Sequence, residues 1–360
     1  MKVKKEKKKW TPPFAVLEGA LRAVVDKSEP GASLGSEVAI AKEHGVSRMT
    51  ARKAVNALVA EGLVERRAGV GLFVRGKGTV TRRFRLVAGN LLWDVAMAVA
   101  SGARGEACER GVEIEFRDAG GDMASFVREI KALPGSGVAG GIILSSHDEV
   151  FEAALRKVAA TGFPLAVVDR VPRGDGIPSV ASDNRAGGAT AADALADAGR
   201  ADLAFVGDLA ADTVAERWEG FRARCAERGL AAPVSMDIRG IDRFGSWEAA
   251  VRKIVGRLLA RRRRPTGLFC SCDAVARFAM RTLAAQGLSV PRDLSIVGFD
   301  DDPIAEWTTP ALTTVAQDFA ALGREGVRAL IARLADPSGA ARATIVPVRL
   351  VRRASVAVLG

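Results

Sequence analysis

The sequence predicts an α/β protein in two parts: a small basic module of helices and a hairpin, then a larger body of parallel sheets covered by helices. Three observations predict it. Residues 1–85 hold 19 of the 53 Lys and Arg and 8 of the 42 Asp and Glu, so the remainder carries 34 of each sign and all excess positive charge lies in the first quarter. From Phe84 onward, apolar β-rich runs alternate with segments long enough for amphipathic helices. Hydrophobic residues make up 48% of the 360, enough for two or three cores and too many for a disordered chain.

The basic tail over residues 1–10, MKVKKEKKKW, has no apolar core of about 7 to 15 residues behind it, which excludes a secretory signal. It reads as a solubilising tail or as a phosphate-binding arm. No apolar run approaches the roughly 20 residues needed to span a bilayer. Cys108, Cys225, Cys270 and Cys272 are too sparse for a disulfide framework and lack metal-ligand spacing, so a cytoplasmic protein is expected. Phe14, Leu17, Leu21 and Val24 fall at helical spacing, and Pro30-Gly31 ends that helix. A second helix runs from Ser36 to His44, where Gly45 ends it. Ser47 then serves as the N-cap of a third, with Met49, Ala54, Val55, Leu58 and Val59 as its apolar face. Its first turns carry Ser47, Arg48, Thr50 and Arg52, hydroxyls and guanidinium forks suited to phosphates and guanine edges. Leu63–Arg67 and Gly71–Arg75 read as a β-hairpin, after which residues 77–83 form a short basic linker.

In the body, the runs at 141–144, 165–168, 203–206, 267–272 and 294–297 are the clearest strands. Several end in a carboxylate: Asp169, Asp208, Asp273 and Asp300. Ligands of open α/β sheets bind beyond the carboxyl ends of the strands, so these acids point to one site, and capping of the following helix is the alternative for each.

Residues 14 to 76 resemble the winged helix-turn-helix domain of the GntR family. The resemblance rests on Val46-Ser47-Arg48, Thr50, Arg52, Ala54, Leu58, Glu61-Gly62-Leu63, Arg66-Arg67, Gly69, Gly71 and Phe73-Val74. It implies a DNA-binding domain over 11–76, with Ser47, Arg48, Thr50, Arg52, Arg66, Arg67, Gly69 and Gly71 at the DNA. One residue departs: Val38 stands where the family has an arginine.

The remainder is similar to the effector domain of LacI-type regulators, itself akin to periplasmic sugar-binding proteins. Val168-Asp169-Arg170, Val180, Asp183-Asn184, Arg217 with Gly220-Phe221, Cys272-Asp273-Ala274, the run Val290 to Asp301 and Pro310 to Val315 carry that likeness. It implies an effector-binding domain over 84–360 with two lobes, 84–181 plus 300–335 and 182–299 plus 336–360. A small ligand, expected to be a sugar, sits between them. The resemblance places Asp169, Arg170, Arg217 and Asp273 at the ligand. Carboxylates accept from vicinal hydroxyls and a guanidinium donates in a planar fork. Trp93 is placed either against a sugar ring or in ordinary packing, and structural pairing with a neighbouring acid is the alternative for both arginines. Cys272 stands where the family has Asn, and Arg200 where it has His.

Catalytic signatures are present by spelling only. Gly31–Gly35 matches a nucleophile elbow without a preceding strand, Gly71–Lys77 lacks the phosphate loop's hydroxyl and helix, and Gly135–Gly140 precedes its strand instead of following one. No cofactor or metal site is expected. A solute-binding protein for transport and an enzymatic or ligand-binding α/β domain tethered to DNA are the rival classes. The fusion is similar to the arabinose-repressor type of regulator, which implies a homodimeric repressor on a near-palindromic operator.

Overall fold

In the computed structural model, which describes residues 13–29, 31–60, 63–67, 70–74, 82–91, 94–144, 148–174, 176–238 and 247–357, the chain divides after Arg82 into two units. The first comprises α1 (Pro13–Lys27), β1 (Ser33–Gly35), α2 (Glu37–Glu43), α3 (Arg48–Ala60), β2 (Val64–Arg67) and β3 (Gly71–Val74). Its sheet has the order β1-β3-β2 and is antiparallel. Leu17, Leu21 and Val25 of α1 meet Ala51, Ala54, Val55 and Leu58 of α3 in one core. Two expectations shift here. Val25 is buried while Val24 is 45% exposed, because the buried stripe of α1 follows i, i+4, i+8. Met49 is 73% exposed, because it lies about 200° around α3 from Ala51 and so faces away from the core.

The second unit starts with β4 (Arg83–Ala88), α4 (Asp94–Glu109), β5 (Glu113–Asp118), α5 (Met123–Ala132), β6 (Gly140–Leu144), α6 (Glu149–Ala159), β7 (Leu165–Val168) and β8 (Ser179–Ser182). The chain then enters a second lobe with α7 (Asn184–Asp197), β9 (Leu203–Gly207), α8 (Asp212–Glu227), β10 (Val234–Asp237) and α9 (Trp247–Leu259). That lobe continues through β11 (Gly267–Cys270), α10 (Asp273–Ala285), β12 (Ser295–Asp300), α11 (Ile304–Trp307) and β13 (Thr313–Ala316). It returns to the first lobe with α12 (Phe319–Ala335) and β14 (Ala343–Val346), and ends in the second with β15 (Arg349–Val351). The sheets have the orders β14-β8-β7-β6-β4-β5 and β10-β9-β11-β12-β13-β15. Every pairing in them is parallel except that of β13 with β15.

Three crossovers therefore join the lobes, but not at the boundaries expected. The return to the first lobe falls after β13 and not at Asp300, because β13 pairs with β12 in the second sheet, Val297 opposite Thr313. Residues 343–346 lie in the first lobe, opposite 179–182 of β8. Each sheet is buried on both faces, which explains its nearly continuous apolar strands. Among the described residues no helix is long and apolar enough to cross a membrane.

Each lobe also contains a helix pair packed backbone to backbone. A Cβ added at Gly188 of α7 would lie 2.0 Å from the Arg217 carbonyl oxygen of α8, and one at Gly220 would lie 2.0 Å from that of Arg185. In the first lobe a Cβ added at Gly102 of α4 would lie 2.0 Å from Ala320 O, and one at Gly323 of α12 would lie 2.0 Å from Val99 O. No side chain fits at these points. Gly220→Ala should therefore destabilise the second unit by about 1 to 3 kcal/mol through overpacking. Gly105→Ala, on α4 with nothing within 4 Å, should stabilise it by about 0.5 to 1 kcal/mol. Thermal melts of the two variants measure the opposite signs.

Candidate functional site

The first candidate surface is the start of α3. Gly45 turns the chain at φ 61°, and the Ser47 hydroxyl accepts from the Thr50 backbone N–H at 3.1 Å and meets the Thr50 hydroxyl at 2.8 Å. This is an N-cap, so Ser47 and Thr50 first of all start the helix. Burying Ala51, Ala54, Val55 and Leu58 leaves Arg48, Met49, Arg52 and Lys53 exposed on the other side. Lys53 Nζ sits 4.2 Å over the Phe14 ring of α1. The positive end of the helix dipole and two free-reaching guanidinium groups thus coincide, an arrangement suited to phosphate and to base edges.

The hairpin behaves differently from expectation. Arg66 donates to Glu37 Oε1 of α2 at 2.6 Å and to Asn56 Oδ1 of α3 at 2.5 Å, so it braces the hairpin against both helices. Gly71, at φ 139°, is required by fold: a Cβ there would approach the Gly35 carbonyl oxygen of β1 to 3.0 Å. The Arg67 side chain and Gly69 lie outside the described residues. Val38, on α2, is 49% exposed, so an apolar surface stands at the position of the family's arginine.

The second candidate site lies at the carboxyl ends of the second unit's strands. Asp169 follows β7 at φ 84°, its N–H bonded to Val180 O at 2.8 Å. Arg170 is 2% exposed, pairs with Glu152 of α6, and reaches Asp212 of α8 at 3.4 Å. Burial pulls its pKa below the usual arginine range, an effect that Asp212 opposes. Arg217 is also buried, its guanidinium 3.7 Å over the Phe299 ring. Its Nε donates to Asn184 Oδ1 at 2.9 Å and its Nη1 to Ser271 O at 2.6 Å, with Asp300 Oδ1 3.6 Å away. Asp300 in turn accepts from the Gln317 amide at 2.7 Å.

Gln317 lines a cavity of about 550 Å³ with Ala98, Phe319, Pro347, Val348 and Arg349, where two of the crossovers pass. That volume is within the range of small-ligand pockets. Of the residues expected at the ligand, Arg217 is linked to this cavity through Asp300 and Gln317, while Trp93 lies outside the described residues. Asp208 makes a turn, its carboxylate accepting from Ala210 N–H at 3.0 Å. Gln317 itself escaped the sequence reading, although a polar residue just past a strand's carboxyl end was the available signal.

Asp273 departs from expectation. It is wholly buried, and its two oxygens accept from the Thr314 hydroxyl at 2.6 Å and from the Asp302 N–H at 2.9 Å. It therefore fastens the loop after β12, where Asp300 and Asp301 hold φ of 112° and 58°, instead of reaching outward. Such backbone is strained by about 1 to 3 kcal/mol per residue and persists only where neighbours fix it.

The comparisons with known proteins agree with this division. Residues 21–74 match the model of the bacterial regulatory proteins of the gntR family, and residues 192–356 that of a periplasmic binding protein-like domain. The ribose operon repressor of Haemophilus influenzae is 28% identical over 66% of this chain and 70% of its own length. A probable transcriptional repressor of Bacillus subtilis, ExuR, is 27% identical over 55% of this chain and 58% of its own. The solved structure of a putative ribose operon repressor from Burkholderia thailandensis is 26% identical, with a TM-score of 0.64 over 75% of this chain and 99% of its own. The matched DNA-binding family and these relatives are transcriptional regulators. The chain is thus similar to regulators in both parts, a gntR-type segment near its start and a periplasmic binding protein-like segment in its second unit.

Burial, and then the nearby Asp300, raise the Asp273 carboxyl well above its ordinary range. A carboxyl raised on folding stabilises the fold while protonated. That contribution is complete below the ordinary value of about 4 and is lost as pH climbs toward the folded value. Asp273→Asn keeps the shape and has no proton to lose, so its stability relative to the parent should improve as pH rises from about 4 to 7. Thermal melts at the two pH values measure the gap; a constant gap would mean that Asp273 titrates alike in folded and unfolded chains.

Proposed function

We propose that the protein represses transcription from a near-palindromic operator as a homodimer, and that a sugar bound between the sensor lobes releases it. One observation carries the reading: an exposed, arginine-bearing helix start and a two-lobed sensor with a polar cluster at its strand ends occur in one chain. Arg48 and Arg52 supply the base or phosphate contacts from α3, and Arg66 supports them by fixing the hairpin. The sugar is suggested by what the relatives' names record, ribose above all. It is also suggested by chemistry, since Asp169 and Asp300 bring acceptors, Arg217 and Gln317 bring donors, and hydroxyl groups satisfy both. Arg217, with Asp169, Asp300 and Gln317, is proposed to meet the ligand; Asp273 and Arg170 hold that set in place. Two half-sites about one helical turn apart would match a two-fold dimer.

Duplex selected from a random library by the full-length protein provides the operator. Arg52→Ala should weaken it by about 1 to 3 kcal/mol while melting like the parent. Arg66→Ala should instead lower the melting temperature of the DNA-binding unit, since it leaves Glu37 and Asn56 without their partner. Equal operator affinity for Arg52→Ala and the parent at matched salt would remove α3 from the interface. A thermal-shift panel of pentoses, hexoses and uronic acids tests the ligand class.

A further inference from the structure

Four charges meet between the lobes. Asp212, the first residue of α8, accepts from Arg173 Nη2 at 2.9 Å and lies 3.4 Å from Arg170 Nη1. Both arginines belong to the loop after β7 in the first lobe, whereas α8 belongs to the second. Glu152 of α6 pairs with Arg170 and accepts from the Arg173 N–H at 3.5 Å, so the loop is tied to its own lobe. Two acids and two arginines make the group neutral. Asp212 also stands at the positive end of α8, where a carboxylate is favoured.

The position along α8 is what matters. Glu216 and Arg217 follow Asp212 by four and five residues, about 7 Å further along a helix. Glu216 accepts from Asn184 at 3.2 Å, and Asn184 accepts from Arg217. The Gly220 contact with Arg185 O then locks α8 to α7, so these residues move as one body with the second lobe. Whatever holds Asp212 to the first lobe therefore also sets the distance between Arg217 and Asp169.

We propose that Asp212 is a positioning residue for the ligand: through Arg170 and Arg173 it latches the lobes and holds Arg217 opposite Asp169 before ligand arrives. The inference rests on the reading above that ligand binds between the lobes. A protein whose binding-competent form is only partly populated binds with an affinity reduced by that fraction, so the latch raises affinity without touching ligand. Arg173 and Asp212 are 60% and 37% exposed, and salt screens such a pair. Arg170 keeps Glu152 when Asp212 is neutralised, so the variant keeps a partner for its buried guanidinium.

Hydrogen exchange of the full-length protein without ligand tests this at low salt. Asp212→Asn should speed exchange in residues 169–173 and 208–217 by roughly three- to tenfold, the loss of an ion-pair network of about 1 kcal/mol. Residues 113–118 should be unaffected. Asp212→Glu should restore slow exchange, and about 1 M salt should bring the parent close to the Asn variant. Unchanged exchange in Asp212→Asn at low salt overturns the latch. The same variants are then titrated with sugars that stabilise the parent. Affinity reduced in Asn and recovered in Glu supports the positioning role, and equal affinity in all three overturns it. If no sugar of the panel stabilises the parent, the ligand class proposed above fails, while the exchange difference still decides whether the latch exists.

Discussion

The two-lobed sensor depends on backbone touching backbone. Within each lobe, the helix that receives the chain from a crossover, α7 or α12, lies against a partner at a distance only glycine allows. Close packing of this kind makes each lobe rigid, since no side chain is left at the contact to repack. Motion is thereby directed to the crossovers. A shift of one lobe against the other would leave the residues within each at their spacing.

That rigidity organises the polar residues as well. Arg217 sits on α8 one turn from Gly220, and its hydrogen bonds run to α7 and to the end of β11. Asp273 secures the loop that holds Asp300, and Arg353 secures the next residue, Asp301, at 2.8 Å. The polar residues at these strand ends are thus held by one another within the fold. Unsatisfied buried charge would be costly, and pairing Arg217 and Asp273 within the fold avoids it.

Much of this was readable from residue order alone. The Ser47 cap, the hairpin, and the alternation of strands with helices follow from local chemistry, which is local in the structure too. Assigning strands to lobes is different. Nothing in Thr313–Ala316 says which of two similar sheets will accept it, because that depends on partners far off in sequence, and β13 and β14 were exchanged for this reason. Strand β1, three residues long, is too short to show a period. Strand-end position pointed to Asp273 and the family resemblance to Arg170 and Arg217, but neither gave the direction of these side chains. Whether a carboxylate faces a neighbour or a ligand is decided by the fold around it, as Thr314 and Asp302 decide it for Asp273.

Arg66 has a consequence for the energetics of the reader. By joining β2 to Glu37 of α2 and Asn56 of α3, it ties three elements of the DNA-binding unit into one assembly. Surfaces that must order themselves on association lose conformational entropy, about 0.5 to 1.5 kcal/mol for each immobilised long side chain. A reader assembled beforehand avoids much of that loss. Affinity gained by rigidity is indifferent to base sequence, so it strengthens the grip on every duplex and leaves discrimination to the few side chains that reach the groove.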